Sequence, residues 1–113
     1  MYLISYGTRP ELIKLFPLIN IFKENNIDHK TIFTGQHEDL IKEFENLTHR
    51  PDFVLEKTMK HKQSINSLIY KIINESQKII NSYDCKVIIQ GDAASSFAVA
   101  LSAFNEGKEV IHV

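Results

Sequence analysis

The chain opens with an apolar strand that passes through a glycine directly into a long amphipathic helix. The strand is predicted over residues 2–6 and the helix over residues 10–25. Thr8 and Glu11 have the spacing of a capping box, and Pro10 stands in the first turn, where its missing N–H costs nothing. So short a strand-to-helix connection favours a parallel sheet with helices packed on it. Backbone N–H groups and the positive helix end at this point predict an anion site.

The rest of the chain alternates between strand and helix periodicity. Further strands are predicted at residues 29–34, 86–90 and 109–113, with a short one at 53–55. Helices are predicted at residues 37–47, 63–83 and 93–104. The apolar face predicted for the first helix comprises Leu12, Ile13, Leu15, Phe16, Ile19 and Phe22. This order predicts an α/β fold with a doubly wound parallel sheet, Rossmann-like in its connections.

Composition narrows the class of protein. The chain has 113 residues and a formal net charge of −1, so we expect one compact domain and no nucleic-acid partner. Cys85 is the single cysteine, which is typical of a reducing compartment. No apolar run is long enough for a membrane span, so we expect a cytoplasmic protein without a membrane partner. Because residues 109–113 read as an unfinished strand, we also expect an N-terminal piece of a longer protein.

Polar and charged residues follow the strands at the predicted carboxyl edge of the sheet, where ligands bind in such folds. Arg9 stands in the first helical turn, where the positive helix end disfavours a cation, so another role is indicated. Lys14 adds a second cation nearby. Asp92 follows a predicted strand and opens a helix, so it is either an N-cap or a carboxylate presented to a ligand. The sequence leaves both roles open.

Other side chains at this edge give weaker evidence for a ligand site. Gln36 and His37 stand in the loop after the second strand, where a lone histidine is usually a cap or solvated. Ser95 and Ser96 either donate hydrogen bonds into the same space or serve only as small packing residues. The remaining histidines are scattered without metal-ligand spacing, so we expect no metal. The glycine loops match neither a dinucleotide fingerprint nor a Walker loop.

Taken in order, several motifs resemble the non-hydrolysing UDP-N-acetylglucosamine 2-epimerases. The motifs are Gly7-Thr8-Arg9-Pro10-Glu11, Ile13-Lys14, Pro17-Leu18, Thr34-Gly35-Gln36-His37, Gln90-Gly91-Asp92 and Ala103-Phe104. The first is the most specific, since hydrolysing relatives typically carry Ser and Ala in place of Thr8 and Pro10. The resemblance extends from Met1 to Val113.

The resemblance implies the N-terminal half of a GT-B-type two-domain enzyme, with residues 1–113 as its N-terminal Rossmann-like domain and the C-terminal nucleotide-binding domain absent. It implies an isomerase that interconverts UDP-GlcNAc and UDP-ManNAc without a cofactor, for bacterial surface polysaccharide precursors. The C2 proton leaves with UDP to give a glycal, and both then return.

By family position Arg9 and Lys14 would bind the UDP-sugar substrate, and Asp92 would belong to the catalytic acid/base set. Gln36 and His37 fall where some bacterial members bind a second, activating UDP-sugar. A homodimer is implied for the full-length protein, and the fragment alone is expected to be inactive.

Two departures keep alternatives open. The family commonly has threonines after the Gly-Asp pair, whereas this chain has Ala93-Ala94-Ser95-Ser96. This difference leaves open another UDP-sugar as the substrate. The chain also stops before the Glu-Ala-Gly-Leu-Arg segment that the family would carry next. The alternative functions are a 2-epimerase of a different UDP-sugar, a GT-B glycosyltransferase half-domain, and a non-enzymatic anion-binding module.

Overall fold

The computed structural model describes residues 1–35, 50–55 and 63–113. The strands are β1 (Tyr2–Tyr6), β2 (His29–Phe33), β3 (Phe53–Val54), β4 (Lys86–Ile89) and β5 (Val110–His112). The helices are α1 (Arg9–Glu24), α2 (Ile65–Asn81) and α3 (Ala94–Asn105). The predicted helix over residues 37–47 lies outside the described residues.

All strand pairs in the sheet are parallel, and the strand order is β3-β2-β1-β4-β5. The chain therefore builds the sheet outward from β1 in one direction and then returns to build it in the other. This confirms the doubly wound, Rossmann-like prediction. The strand order reverses between β1 and β4, and ligands bind beyond the carboxyl ends of the strands at such a reversal.

Alternating side chains of the strands supply two separate cores, one on each face of the sheet. Leu3, for example, faces α2 and α3, whereas Ile4 faces α1. On the α1 face, the helix contributes the buried side chains Leu12, Leu15, Ile19 and Phe22. On the other face, the small residues Ala98 and Ala103 are fully buried, so α3 lies close against the strands.

Most predicted elements are confirmed within one or two residues at each end. Two side chains of the predicted apolar face of α1 differ, because Ile13 is 54% exposed and Phe16 is only partly buried and outside the core. The residue that takes a place on the buried face is Glu11, which is 3% exposed. None of the helices that the structure describes is long and apolar enough to cross a membrane.

Candidate functional site

The carboxyl ends of β1 and β4 lie side by side, since the two strands pair in parallel from Tyr2 opposite Lys86 to Ile4 opposite Ile88. The loop after β1 leads into α1, and the loop after β4 leads into α3. Both loops therefore leave the sheet at the point where the strand order reverses. We call this place the β1–β4 edge.

The start of α1 is capped as the sequence predicts. The Glu11 N–H donates to the Thr8 hydroxyl oxygen at 3.4 Å, and the Thr8 hydroxyl donates to the Glu11 carboxylate. The backbone N–H groups of Gly7 and Thr8 also donate to that carboxylate. Pro10 has no N–H to offer.

This capping corrects the expectation that backbone N–H groups at this helix start hold an external anion. Three of the N–H groups, those of Gly7, Thr8 and Glu11, already have partners within the chain. The chain's own carboxylate occupies the positive end of α1. A phosphate at the start of α1 therefore has to be bound mainly by side chains.

Glu11 is buried beneath the surface of the edge. Burial raises the pKa of its carboxyl, while the hydrogen bonds from Thr8 and Gly7 oppose that rise. Its Cγ would lie 3.7 Å from a Cβ atom placed on Gly91. The first turn of α1 thus contacts the loop that follows β4.

The loop after β4 turns at Gly91, whose φ of +81° is a conformation that favours glycine. Asp92 follows and is exposed. The N-cap of α3 is Ala93, and no side chain caps this helix. The interpretation of Asp92 as an N-cap is therefore wrong, because the helix begins one residue too late for its carboxylate to cap it.

Two of the three predicted charged residues, Arg9 and Asp92, lie at the β1–β4 edge, whereas Lys14 lies further along α1. Arg9 is the first residue of α1 and is exposed, and Lys14 is exposed about one turn further along. Asp92 is in the loop that Glu11 contacts, so Arg9 and Asp92 come from neighbouring segments of the edge. Their roles toward a ligand remain predictions. Gln36 and His37 lie outside the described residues.

Ser95 and Ser96 are less accessible to a ligand than Asp92, because both serines are buried. The Ser96 hydroxyl donates to the Ala93 carbonyl at 2.8 Å. Ser95 is buried, its Oγ has no hydrogen-bond partner among the described residues, and it would be 3.0 Å from a Cβ atom placed on Gly7. The Ser96 hydroxyl therefore serves the local structure of the loop and helix, whereas Ser95 only packs against the first loop.

Gly7 is the point of closest approach between segments. A Cβ atom there would collide with the Thr34 hydroxyl, which follows β2, and would press on Ser95 at the start of α3. The φ of Gly7 is not in the positive range, so space rather than backbone conformation requires glycine. Residues that follow β1, β2 and β4 thus lie together at the carboxyl edge, at Gly7, Thr34 and Ser95.

Sequence reasoning missed two side chains at the edge. Glu11 was interpreted only as part of the capping box, although Leu15, Ile19 and Phe22 follow it on the same helical face, which indicates burial. His112 was grouped with scattered histidines, yet its Nε2 lies 2.8 Å from the Gly91 carbonyl oxygen. The position of His112 at the end of a strand beside β4 is the feature that could have indicated this contact.

A cleft of about 210 Å³ lies elsewhere, between α1 and β2. Its polar lining comes from Lys23, His29, Thr31, Arg50 and Asp52. The Asp52 carboxylate accepts the Thr31 N–H at 2.8 Å, which joins the segment before β3 to β2. Arg9, Lys14 and Asp92 do not line this cleft. We therefore do not place the functional site there.

Within the described ranges, no three acidic, histidine or cysteine side chains form a group that could hold a metal ion.

Comparison with known proteins identifies relatives of the whole chain. The family model described as UDP-N-acetylglucosamine 2-epimerase matches residues 20–113. The curated UDP-N-acetylglucosamine 2-epimerase of Salmonella borreze is 35% identical over 114 residues, covering 98% of this chain and 30% of that protein.

Solved structures agree with the sequence relatives. The UDP-GlcNAc 2-epimerase of Neisseria meningitidis, solved bound to UDP-GlcNAc, has a TM-score of 0.88 at 30% identity, over 99% of this chain and 31% of that one. The UDP-GlcNAc 2-epimerase of Methanocaldococcus jannaschii has a TM-score of 0.84 at 32% identity, over 100% of this chain and 31% of that one.

This chain thus spans about 30% of the length of its curated relatives. Its sequence matches the family model over residues 20–113, and its fold is similar to that of the solved relatives over nearly its whole length. The chain belongs to the UDP-N-acetylglucosamine 2-epimerase family.

Proposed function

We propose that the native protein carrying this chain is a non-hydrolysing UDP-N-acetylglucosamine 2-epimerase. The observation that carries the proposal is the placement, in a member of this family, of two exposed charged residues at the β1–β4 edge: Arg9 as the first residue of α1, and Asp92 in the loop after β4. Supporting it, the solved relative from Neisseria meningitidis is bound to UDP-GlcNAc. The proposed reaction needs no cofactor, because elimination and re-addition of UDP are redox-neutral.

In this proposal Arg9 and Lys14 hold the diphosphate as it leaves C1. Side-chain cations are suited to this task, since the nearby backbone N–H groups of Gly7, Thr8 and Glu11 have internal partners. Asp92 is the exposed carboxylate that moves the proton at C2. Residues 1–113 form the N-terminal domain of a two-domain protein, whose second domain completes the nucleotide site. Gln36 and His37 contact an activating UDP-sugar.

A second candidate substrate is a different UDP-sugar with an acidic C2 proton. The observation that favours it is the wall formed by residues 93–96, whose hydroxyls are already engaged or buried. Fewer donors then face the sugar than a threonine-rich loop would offer. Assaying UDP-GlcNAc beside other UDP-2-acetamido sugars, and comparing kcat/KM, distinguishes the two.

The test is to incubate the native protein with UDP-GlcNAc in deuterated water and follow C2 by NMR. We expect deuterium at C2 and formation of UDP-ManNAc. We expect Asp92→Asn to lower kcat by about 100-fold or more, as for loss of an acid/base group. Arg9→Ala and Lys14→Ala should chiefly raise KM, by about tenfold each, since each removes a charge-assisted contact.

Matched controls come from exposed residues away from the edge. Asp84→Asn alters an aspartate that precedes β4, and Lys78→Ala alters a lysine on α2. Both should leave kcat and KM unchanged. The proposal is overturned if the wild-type protein gives neither deuterium at C2 nor UDP-ManNAc. Transfer of the sugar to an added acceptor would instead identify a glycosyltransferase.

The proposal extends to a cytoplasmic homodimer. The single cysteine is typical of a reducing compartment, and the family resemblance implies the homodimer. Light scattering on the purified native protein measures the mass directly, and a monomer would contradict that part of the proposal.

A further inference from the structure

His112 is the last residue of β5 and lies beside the turn that carries Asp92. Its Nε2 is 2.8 Å from the Gly91 carbonyl oxygen. Because a carbonyl can only accept, the ring must carry its proton on Nε2 and donate it. Both the neutral and the protonated forms of the ring can make this bond. The contact joins the end of β5 to the residue immediately before Asp92.

The turn at Gly91 has few other restraints. Its φ of +81° makes a sharp exit from β4. Asp92 does not cap α3, whose N-cap is Ala93 without a side-chain hydrogen bond. Within the residues that the structure describes, the Asp92 side chain makes no hydrogen bond or ion pair, so the backbone of the turn determines where its carboxylate lies.

Two side chains from distant parts of the sequence lie beside this backbone. Glu11 approaches from α1, with its Cγ 3.7 Å from the position that a Cβ atom on Gly91 would take. His112 binds the carbonyl of the same residue from β5. The hydrogen bond from His112 is therefore the direct side-chain restraint on Gly91 among the described residues.

The hydrogen bond is unnecessary for attaching β5 to the sheet. Val87, Ile88 and Ile89 of β4 already pair with Val110, Ile111 and His112 of β5. The backbone N–H of Val113 also donates to the Ile89 carbonyl at 2.9 Å. An exposed side-chain hydrogen bond adds only modest stability to such an arrangement. Its specific effect is on the conformation of the turn.

We propose that His112 is a positioning residue that fixes the Gly91–Asp92 turn and thereby places the Asp92 carboxylate for proton transfer at C2. The inference rests on the proposed function of Asp92. A displacement of about 1 Å in a reacting group can lower a rate by about 100-fold, so one hydrogen bond to the turn is enough to matter.

The experiment compares His112→Leu with His112→Gln in the native protein. Leucine removes the donor, whereas glutamine keeps an N–H donor near the position of Nε2. We expect H112L to lower kcat by about 10- to 100-fold with KM changed less than about twofold, because Arg9 and Lys14 are untouched. H112Q should recover most of the lost kcat.

His29→Leu is the matched control. The Nδ1 of His29 is 2.8 Å from the Ile27 carbonyl oxygen, so this variant removes the same kind of contact at the start of β2, at the opposite end of its strand from the carboxyl edge. It should leave kcat and KM within about twofold of wild type. Thermal midpoints of all three variants show whether each is folded.

Amide hydrogen exchange supplies a readout that does not depend on activity. We expect H112L to accelerate exchange at Gly91 and Asp92, and H112Q to restore protection. Equal kcat losses in H112L and H112Q, a change confined to KM, or unchanged kcat and unchanged exchange would each overturn the positioning role.

Wild-type protein without epimerase activity would instead refute the proposed function. The proposal that His112 positions a catalytic group would then fall with it. The exchange data would still decide whether His112 holds the turn, so the two failures are distinguishable.

Discussion

Glu11 shows how a single side chain can change what a helix start offers to a ligand. Its carboxylate accepts N–H groups from Gly7 and Thr8 and the Thr8 hydroxyl. The chain thereby neutralises its own helix end with an internal anion. Under the proposed function, the neighbouring exposed Arg9 would then supply the positive charge for an external anion.

Glu11 should also make stability depend on pH. Burial raises the pKa of the folded carboxyl above the ordinary value of 4.5. The folded state therefore holds the proton more tightly than the unfolded state, and this contribution to stability is lost as pH rises from 4.5 through the folded pKa. The free energy of unfolding of wild type, minus that of Glu11→Gln, should decrease as pH rises.

Urea denaturation at about pH 4 and about pH 7 measures this difference. Glutamine has the size of glutamate but no titratable carboxyl. The other titratable groups contribute equally to the free energies of unfolding of both proteins, so their effects cancel in the difference. A difference that increases with pH would show that hydrogen bonding outweighs burial at this carboxyl.

Among the elements, the helices begin in different ways. Thr8 caps α1 and Ser64 caps α2, where its Oγ accepts the Ser67 N–H at 3.1 Å. The α3 N-cap is Ala93, which has no side chain able to accept. The N–H groups of the first turn of α3 therefore lack a side-chain acceptor from the N-cap, at some loss of stability.

Ala93→Ser should therefore stabilise the fold by about 0.5–1 kcal/mol, because a serine Oγ can accept an N–H group of the first turn. Ser64→Ala should do the reverse at α2, by about 1 kcal/mol. Denaturant midpoints at constant m-value check both variants. Destabilisation by Ala93→Ser would mean that the hydroxyl does not fit at this helix start.

At the scale of the whole molecule, segments remote in sequence meet around Gly7. Thr34 follows β2 and Ser95 begins α3, and both crowd the position where a Gly7 side chain would stand. The parallel order of the sheet brings the ends of β1, β2 and β4 to one edge. The glycine allows the three connections to approach closely.

Gly7→Ala should cost roughly 1–3 kcal/mol of stability through this crowding. In a Thr34→Ala background the cost should shrink by about 0.5 kcal/mol or more, because the colliding hydroxyl is gone. Gly107→Ala is the control, since Gly107 has nothing within 4 Å of a Cβ atom and its φ of +73° alone makes alanine unfavourable. The double-mutant cycle of Gly107 with Thr34 should show no coupling.

Much of the fold could be predicted from local patterns. The Thr8–Glu11 spacing predicts how α1 begins, and the alternation of strand and helix periods predicts the parallel sheet. The exposure of Ile13 and the burial of Glu11 were not predicted, because apolar periodicity ranks side chains by type. Here hydrogen-bond donors at the helix start outweigh that preference and hold a carboxyl inside.

The sequence by itself determined the order of elements, the cap of α1, and the presence of Arg9 and Lys14 in the helix after β1 and of Asp92 after β4, because each depends on residues close together along the chain. Only the tertiary structure decided that Glu11 lies near Gly91, that His112 binds the Gly91 carbonyl, and that Gly7 lies against Thr34 and Ser95. Those contacts join segments separated by tens of residues. Strand order and register bring such segments together, and neither can be read from local periodicity.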